Sequence, residues 1–321
     1  MKKNKKRNFI VLGIVIVLVA CITIMLFQVK GEKKEVVETD QNSYRYIKVD
    51  GKDYRYRTNL KTILFLGIDT TDETKNQGQS DAIDLAIFDR DQQKIKIISL
   101  SRDTMCKIRL FDSEGNDLGW DKQHLGLAYS YGKNRKHGGI LAKDAVSKLL
   151  SDVPLVNYTA FDLNSLQELQ DIIGDMPMVL DDDYIDINPL WKKGKKIVIN
   201  RDNVEEFVRS RNTSKDYSNK TRMQRQKLYI QTYINQLKTK LTNDYSTTLQ
   251  KMYNFYSKLT TNITLKEIDS YAEMILNYSI DNNEYYTLPG EDQKGELHDE
   301  FIVDQKQLKQ LVLQLFYEED K

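Results

Sequence analysis

From Arg222 onward, apolar side chains recur at three- and four-residue steps: Ile230, Tyr233, Ile234, Leu237 and Leu241. At about 100° per residue these positions form the single stripe of an amphipathic helix. Arg222 and Gln226 fall on the same stripe, so two polar side chains of its first turns point toward the protein body. Upstream the pattern shortens. Residues 62–68, 82–88 and 94–100 are brief apolar runs that read as strands, with a polar turn at 89–93 between the last two. Residues 141–150 read as an amphipathic helix, 156–161 as a strand, and 165–173 as a helix closed by Gly174. A short strand follows at 178–180. Asp202 and Glu205 have the spacing of a helix start, and that helix turns Val204, Phe207 and Val208 inward before ending near Arg209. Strands alternating with helices predict an α/β fold, a central mixed sheet sandwiched by helices. Near the end, Leu308, Leu311, Val312, Leu315 and Phe316 mark an amphipathic docking helix.

The start of the chain follows another pattern. Lys2, Lys3, Lys5, Lys6 and Arg7 precede residues 9–27, which carry no charge over 19 positions. That is close to the ~20 residues that cross a bilayer as a helix, and the basic flank places the remainder outside the cytoplasm. A cleaved signal peptide would have a shorter apolar region and an A-x-A-like site. Leu18-Val19-Ala20-Cys21 has the look of a lipobox, but the apolar run continues past Cys21. The expected organisation is a basic cytoplasmic segment (1–7), a single-pass anchor (8–28), an extracellular tether (29–58), a catalytic domain (59–235) and a C-terminal helical extension (236–321) packed on it. A strand pair around Asp50-Gly51 is expected at the end of the tether.

Composition narrows the function classes. Lys and Arg number 48 against 47 Asp and Glu, a net charge of +1, so no global field recruits nucleic acid. The two cysteines, Cys21 and Cys106, supply no disulfide framework, and the fold must rest on its own core. His124, His137 and His298 are scattered without metal-ligand spacing. No obligate protein partner is expected.

The candidate chemistry is anionic. Arg209, Arg211, Arg222 and Arg225 converge on one turn and the helix after it. Arginine at a helix N-terminus opposes the macrodipole, which makes sense beside a bound anion such as phosphate. Asp69 ends the first strand and Asp81 opens the second, 12 residues later across a polar loop. Two such carboxylates can meet at a divalent cation, and Mg²⁺ accepts one or two carboxylates with water and phosphate oxygens. Arg102-Asp103 stands where the third strand leaves the sheet. It reads either as an ion pair shaping the loop or as a guanidinium aimed at phosphate and steadied by its neighbour.

Five ordered blocks resemble the LytR-CpsA-Psr family of envelope phosphotransferases: Ile63-Leu-Phe-Leu-Gly-Ile-Asp69, Ser80-Asp81, Ser101-Arg102-Asp103-Thr104, Leu127-Ala-Tyr-Ser-Tyr-Gly132, and Arg209-x-Arg211 through Arg225-Gln226. The resemblance implies a protein outside the cytoplasmic membrane of a Gram-positive cell. It would move a glycopolymer (teichoic acid, capsule or other wall polysaccharide) from an undecaprenyl-pyrophosphate carrier to peptidoglycan as a phosphodiester. By this similarity Asp69 and Asp81 would hold Mg²⁺ (or Mn²⁺). Arg102, Arg209 and Arg211 would grip the pyrophosphate, with Arg222, Arg225 and Gln226 beside them. Asp103 would orient Arg102 or take part in proton transfer, and the Leu127–Tyr131 run would lie near the lipid pocket.

The chain departs from the family pattern at several points. Gln79 stands where an arginine is usual, Ser101 replaces a proline, and His124-Leu125-Gly126 replaces Lys-Ile-Asn. Asn219 occupies the place of an aspartate, while Asp216 lies six residues before Arg222. A polyprenyl-pyrophosphate hydrolase, or a non-catalytic envelope binding or regulatory protein of the same family, are the alternative readings.

Overall fold

Three adjacent strands with apolar residues on both faces fix the centre of the molecule. The computed structural model describes residues 45–70, 78–212, 219–296 and 298–320. The expected anchor and most of the tether lie outside these residues, as does Asp216. Among the described residues no helix is long and apolar enough to cross a membrane.

The described residues open with the expected hairpin, β1 (Tyr46–Val49) and β2 (Lys52–Tyr56). Asp50 and Gly51 turn it with φ of 51° and 80°, the left-handed region that an Asp-Gly pair tolerates. Three long strands follow: β3 (Leu60–Ile68), β4 (Ser80–Asp89) and β5 (Lys94–Leu100). Next come a ribbon, β6 (Met105–Phe111) and β7 (Asp117–His124), a 3-10 helix over Leu125–Tyr131, and α1 (Arg135–Leu149). Helix α1 starts before the predicted position because the Asn134 side chain caps it, accepting from His137 N. Strand β8 (Asn157–Asp162) leads into α2 (Leu163–Ile173), capped by Asp162.

The predicted strand near residue 178 is β9 (Met176–Val179), and it pairs with β10 (Lys196–Ile199) in a separate ribbon. Then come α3 (Val204–Arg209), α4 (Lys220–Asn243), α5 (Tyr245–Tyr256), β11 (Thr260–Thr261) and α6 (Leu265–Asn277). Strand β12 (Tyr285–Thr287), the hairpin β13 (Gly290–Lys294) and β14 (Asp299–Val303), α7 (Gln305–Phe316) and β15 (Tyr317–Glu319) complete the chain.

The central sheet is mixed, in the order β11-β8-β3-β4-β5-β12. β3 runs parallel to β8 and antiparallel to β4, and β12 runs parallel to β5. Alternate side chains divide its two faces. Leu64, Leu66, Leu85 and Ile98 pack with Ala142 and Val146 of α1 and with Val312 and Leu315 of α7. Ile63, Ala86 and Ile97 face the opposite way, toward the side covered by α4, α5 and α6. Strands β11 and β12 come from beyond residue 235, so that part of the chain supplies both edges of the sheet as well as helices.

Tyr129 and Ala128 of the 3-10 helix are buried with the first group. The Leu127–Tyr131 run thus packs as core on the α1 face of the sheet, opposite the face covered by α4, α5 and α6. A buried ionic cluster secures the strand ends, where Arg57 donates to both oxygens of Asp89 at 2.7 Å and Lys96 donates at 3.0 Å.

Candidate functional site

Where β3 and β4 leave their pairing, a register shift at Gly67–Ile68 brings Asp69 and Asp81 to one end of the sheet. The loop between them is closed at its base by Asp69 N donating to the Gln79 carbonyl at 2.9 Å. Gln79 therefore contributes backbone to the site, and its side chain is exposed.

Asp81 is the hub. Arg102 donates to its Oδ1 through Nη1. Arg222 donates to Oδ2 at 3.3 Å and to the Asp81 carbonyl at 3.1 Å. Asp103 sits 3.4 Å from Arg102 Nε, on the other side of that guanidinium. Asp69 accepts from Arg209 at 2.9 Å, and Arg209 is also held by Glu205 at 2.7 Å, one turn earlier on α3. Glu205 entered the sequence reading only as a helix-start residue; the i,i+4 spacing to Arg209 is the signal that would have paired them. Arg211 carries its charge close enough to act on both Asp103 and Arg222.

Burial sets the electrostatics. Arg222 is only 5% exposed. Its burial, with Arg102 and Arg211 nearby, outweighs Asp81 and lowers its pKa to about 10. Among the described residues its Nε is buried without a hydrogen-bond partner. Burial works against Arg102 too, but Asp81, Asp103 and Asp69 raise its pKa overall. Burial raises Asp103 against the opposing pull of Arg102, His124, Arg211 and Arg222. A guanidinium that lacks a full set of partners gains most from an added anion.

Two of the expected ligand-binding residues also bond to backbone, and Gln226 lines the cavity described below. Arg225, 1% exposed, donates through Nε to the Phe207 carbonyl at 2.8 Å and through Nη2 to the Ser210 carbonyl. Its guanidinium lies 5.5 Å over the Tyr184 ring. Gln226 Nε2 donates to the Val208 carbonyl at 3.0 Å. Both tie α4 to the segment that carries Arg209 and Arg211. Asn219 is buried at the N-cap of α4, with Oδ1 unpartnered among the described residues. Gly126 fits against Arg102, where an added Cβ would come within 3.1 Å of both Arg102 Cβ and the Ser80 carbonyl.

Behind this charged end runs an apolar cavity of about 330 Å³. Asp69, Asp81, Arg209 and Arg222 line one part of it. The rest is walled by Ile63, Phe65 and Ala86 from the sheet, and by Ile230, Ile234 and Phe255 from the covering helices. The family resemblance implies a lipid pocket without saying which residues line it. Its wall is assembled from residues distant in sequence, each of which reads as ordinary core.

The arrangement joins a cationic, carboxylate-bearing mouth to an apolar channel. Asp69 and Asp81 are hard oxygen donors at that mouth, and no group of three or more His, Cys, Asp or Glu forms a metal cluster among the described residues. Water and a substrate's oxygens would have to complete a cation's shell, the coordination habit of Mg²⁺.

Comparison with known proteins gives a consistent picture. The profile of the LytR_cpsA_psr family matches residues 22–316. An uncharacterised protein of Staphylococcus aureus strain NCTC 8325 is 27% identical over 201 residues, 58% of this chain and 45% of the relative. The chain thus aligns with less than half the length of that curated relative. A solved structure from Streptococcus agalactiae superposes with a TM-score of 0.64 at 22% identity, covering 80% of this chain and 88% of the other. TagV of Bacillus subtilis gives 0.62 at 20% identity, covering 81% and 96%. TagT bound to LI-WTA gives 0.60 at 21% identity, covering 80% and 90%.

Proposed function

This chain belongs to the LytR_cpsA_psr family, and on that premise we propose that it is a membrane-anchored, extracellular phosphotransferase of the cell envelope. It moves a glycopolymer from an undecaprenyl-pyrophosphate carrier to peptidoglycan. One observation carries the reading: a single cavity has arginines and aspartates at its mouth and hydrocarbon side chains along its length. An anionic head group with a long apolar tail matches both parts. TagT, whose fold this chain shares, has been captured with LI-WTA, which supports a wall glycopolymer as the cargo.

Phosphoryl transfer needs positioning and charge neutralisation more than covalent help from the protein. Arg102, Arg209 and Arg211 hold the pyrophosphate, and Arg222 backs them from its buried position. The acceptor sugar hydroxyl attacks the phosphorus that carries the glycopolymer. The bond from that phosphorus to the bridging oxygen breaks, and polyprenyl phosphate leaves. The arginines stabilise the charge that develops on the equatorial and bridging oxygens. Asp103 keeps Arg102 in place and, with its raised pKa, is also placed to accept the hydroxyl proton. Asp69 and Asp81 would hold Mg²⁺ or Mn²⁺, which would supply further neutralisation of the pyrophosphate.

Titration of the full chain with a polyprenyl pyrophosphate, the matching polyprenol and inorganic pyrophosphate tests the two-part cavity. The account expects the joined molecule to bind far more tightly than either part, and Arg102→Ala to weaken both pyrophosphates but not the polyprenol. Equal affinity for pyrophosphate with and without its chain would remove the lipid from the reading.

A further inference from the structure

Inside the mouth, an acid without a cationic partner among the described residues interrupts the hydrocarbon wall of the channel. Asp84 lies three residues along β4 from Asp81, about 10 Å of extended strand. It belongs to a cross-strand row formed by Thr159, Phe65, Asp84 and Ser99. Among the described residues its carboxyl accepts one hydrogen bond, from Ser99 Oγ to Oδ1 at 2.5 Å. What surface Asp84 keeps open lines the cavity.

Among the described residues no cation forms an ion pair with Asp84; Lys227 of α4 stands beyond Tyr285, 5.9 Å from the centre of its ring. Asp69, Asp81, Arg209 and Arg222 belong to the mouth, where they pair with one another and with Arg102. Asp162 also lines the channel, but it is bound by Ser165 and Arg135. Helices α4, α5 and α6 contribute the phenols Tyr229, Tyr233, Tyr256 and Tyr271. From β12, Tyr285 has a buried hydroxyl without a partner among the described residues, and after burial itself the nearby Asp84 helps raise its pKa. On β8, Thr159 Oγ1 is likewise buried and unpartnered among the described residues. Burial pushes the Asp84 carboxyl up to about 6, an effect that the Ser99 hydrogen bond only partly offsets.

We propose that Asp84 makes loading of this channel proton-coupled: an apolar chain is held while Asp84 is a neutral acid, and an ionised Asp84 excludes it. The inference rests on the channel being the site of the carrier's chain. The physical reason is solvation. In the empty channel a carboxylate keeps whatever water the cavity admits. A hydrocarbon chain displaces that water and leaves the charge beside groups that cannot solvate it. The chain therefore enters with a proton whenever Asp84 is ionised beforehand. Asp84 is thereby a specificity-determining residue, because an unsubstituted hydrocarbon offers an ionised carboxylate nothing in return.

The test is calorimetric titration of the full chain in nanodiscs between pH 5 and 8, with a polyprenyl pyrophosphate and with inorganic pyrophosphate. Wild type and Asp84→Asn are compared, in two buffers of different ionisation enthalpy. The head group's own titration is common to both proteins, so the difference between their profiles is the readout. Wild type is expected to lose up to about tenfold in affinity per pH unit above about 6, relative to the variant, and to take up as much as one extra proton on binding. Asp84→Leu is a second variant, expected to bind the chain with no such loss. Inorganic pyrophosphate should show no difference among the three proteins. Superimposed wild-type and Asp84→Asn profiles for the polyprenyl compound would overturn the proposal while leaving the channel reading intact. If the chain adds no affinity in any of the three proteins at any pH, the channel reading itself falls and the proposal falls with it.

Discussion

Replacing Arg225 with Met should destabilise the protein more directly than it weakens ligand binding. The guanidinium is buried and donates to two backbone carbonyls, Phe207 and Ser210. Hydrogen bonds to charged groups contribute about 1.5–3 kcal/mol each. The substitution removes two and leaves two carbonyls without those donors. Against this, burial already lowers the pKa of Arg225, a sign that its charge is held at a cost. A net loss of about 2–4 kcal/mol follows from these opposing contributions. For a domain of this size that is a fall in Tm of very roughly 4–8 °C. Thermal and urea unfolding of wild type and Arg225→Met give the number, and pyrophosphate titration below the transition gives the ligand effect. An unchanged Tm with abolished pyrophosphate binding would refute the reasoning, because it would make Arg225 a ligand contact and not a staple between α4 and the Arg209–Arg211 segment.

Other predictions follow from the same geometry. Ala86→Phe should fill the channel and cut affinity for a polyprenyl pyrophosphate at least tenfold while inorganic pyrophosphate binds as before; unchanged chain affinity would place the chain elsewhere. Gly139→Ala should lower Tm sharply, because its Cβ would fall 2.0 Å from the Tyr158 ring; a wild-type melting curve would show that α1 shifts freely. Asp84→Asn should stabilise the fold at pH 7 but not at pH 4. The folded carboxyl holds its proton up to about 6, against about 3.9 when unfolded, so wild-type stability falls between those values as pH rises, by up to ~3 kcal/mol. Urea unfolding at both pH values checks the sign. Chelation of divalent cations should depress transfer, and full activity in excess chelator would remove the metal from the account.

Much of the sheet was legible because β3, β4 and β5 are long apolar runs separated by polar turns. The β6–β7 ribbon was not. Residues 117–124 alternate poorly, and most are exposed, so they lack the half-buried period of a strand. β11 and β12 are two and three residues long, too short for any period to show. The arginines of the site were legible because Arg222 shares a helix stripe with apolar residues, which only a buried or anion-facing role explains. The bonds from Arg225 to the Phe207 and Ser210 carbonyls were not legible, because the positions of those carbonyls are set only in the folded chain. Asp84 was passed over inside an apolar strand. Its signal is parity: Ala82, Ala86 and Phe88 share its face, so a carboxylate there faces hydrocarbon.

The central claim is that this cavity presents a lipid pyrophosphate for transfer to a sugar hydroxyl. Its most direct test is incubation of the full chain with a synthetic polyprenyl-pyrophosphate glycan and peptidoglycan, with the products read by phosphorus NMR and mass spectrometry. The account predicts a phosphodiester between glycan and peptidoglycan, an equal amount of polyprenyl phosphate, and loss of both with Arg102→Ala. Polyprenyl phosphate released without joined product would make the protein a hydrolase. Tight binding without any turnover would contradict the enzymatic claim and leave a binding protein.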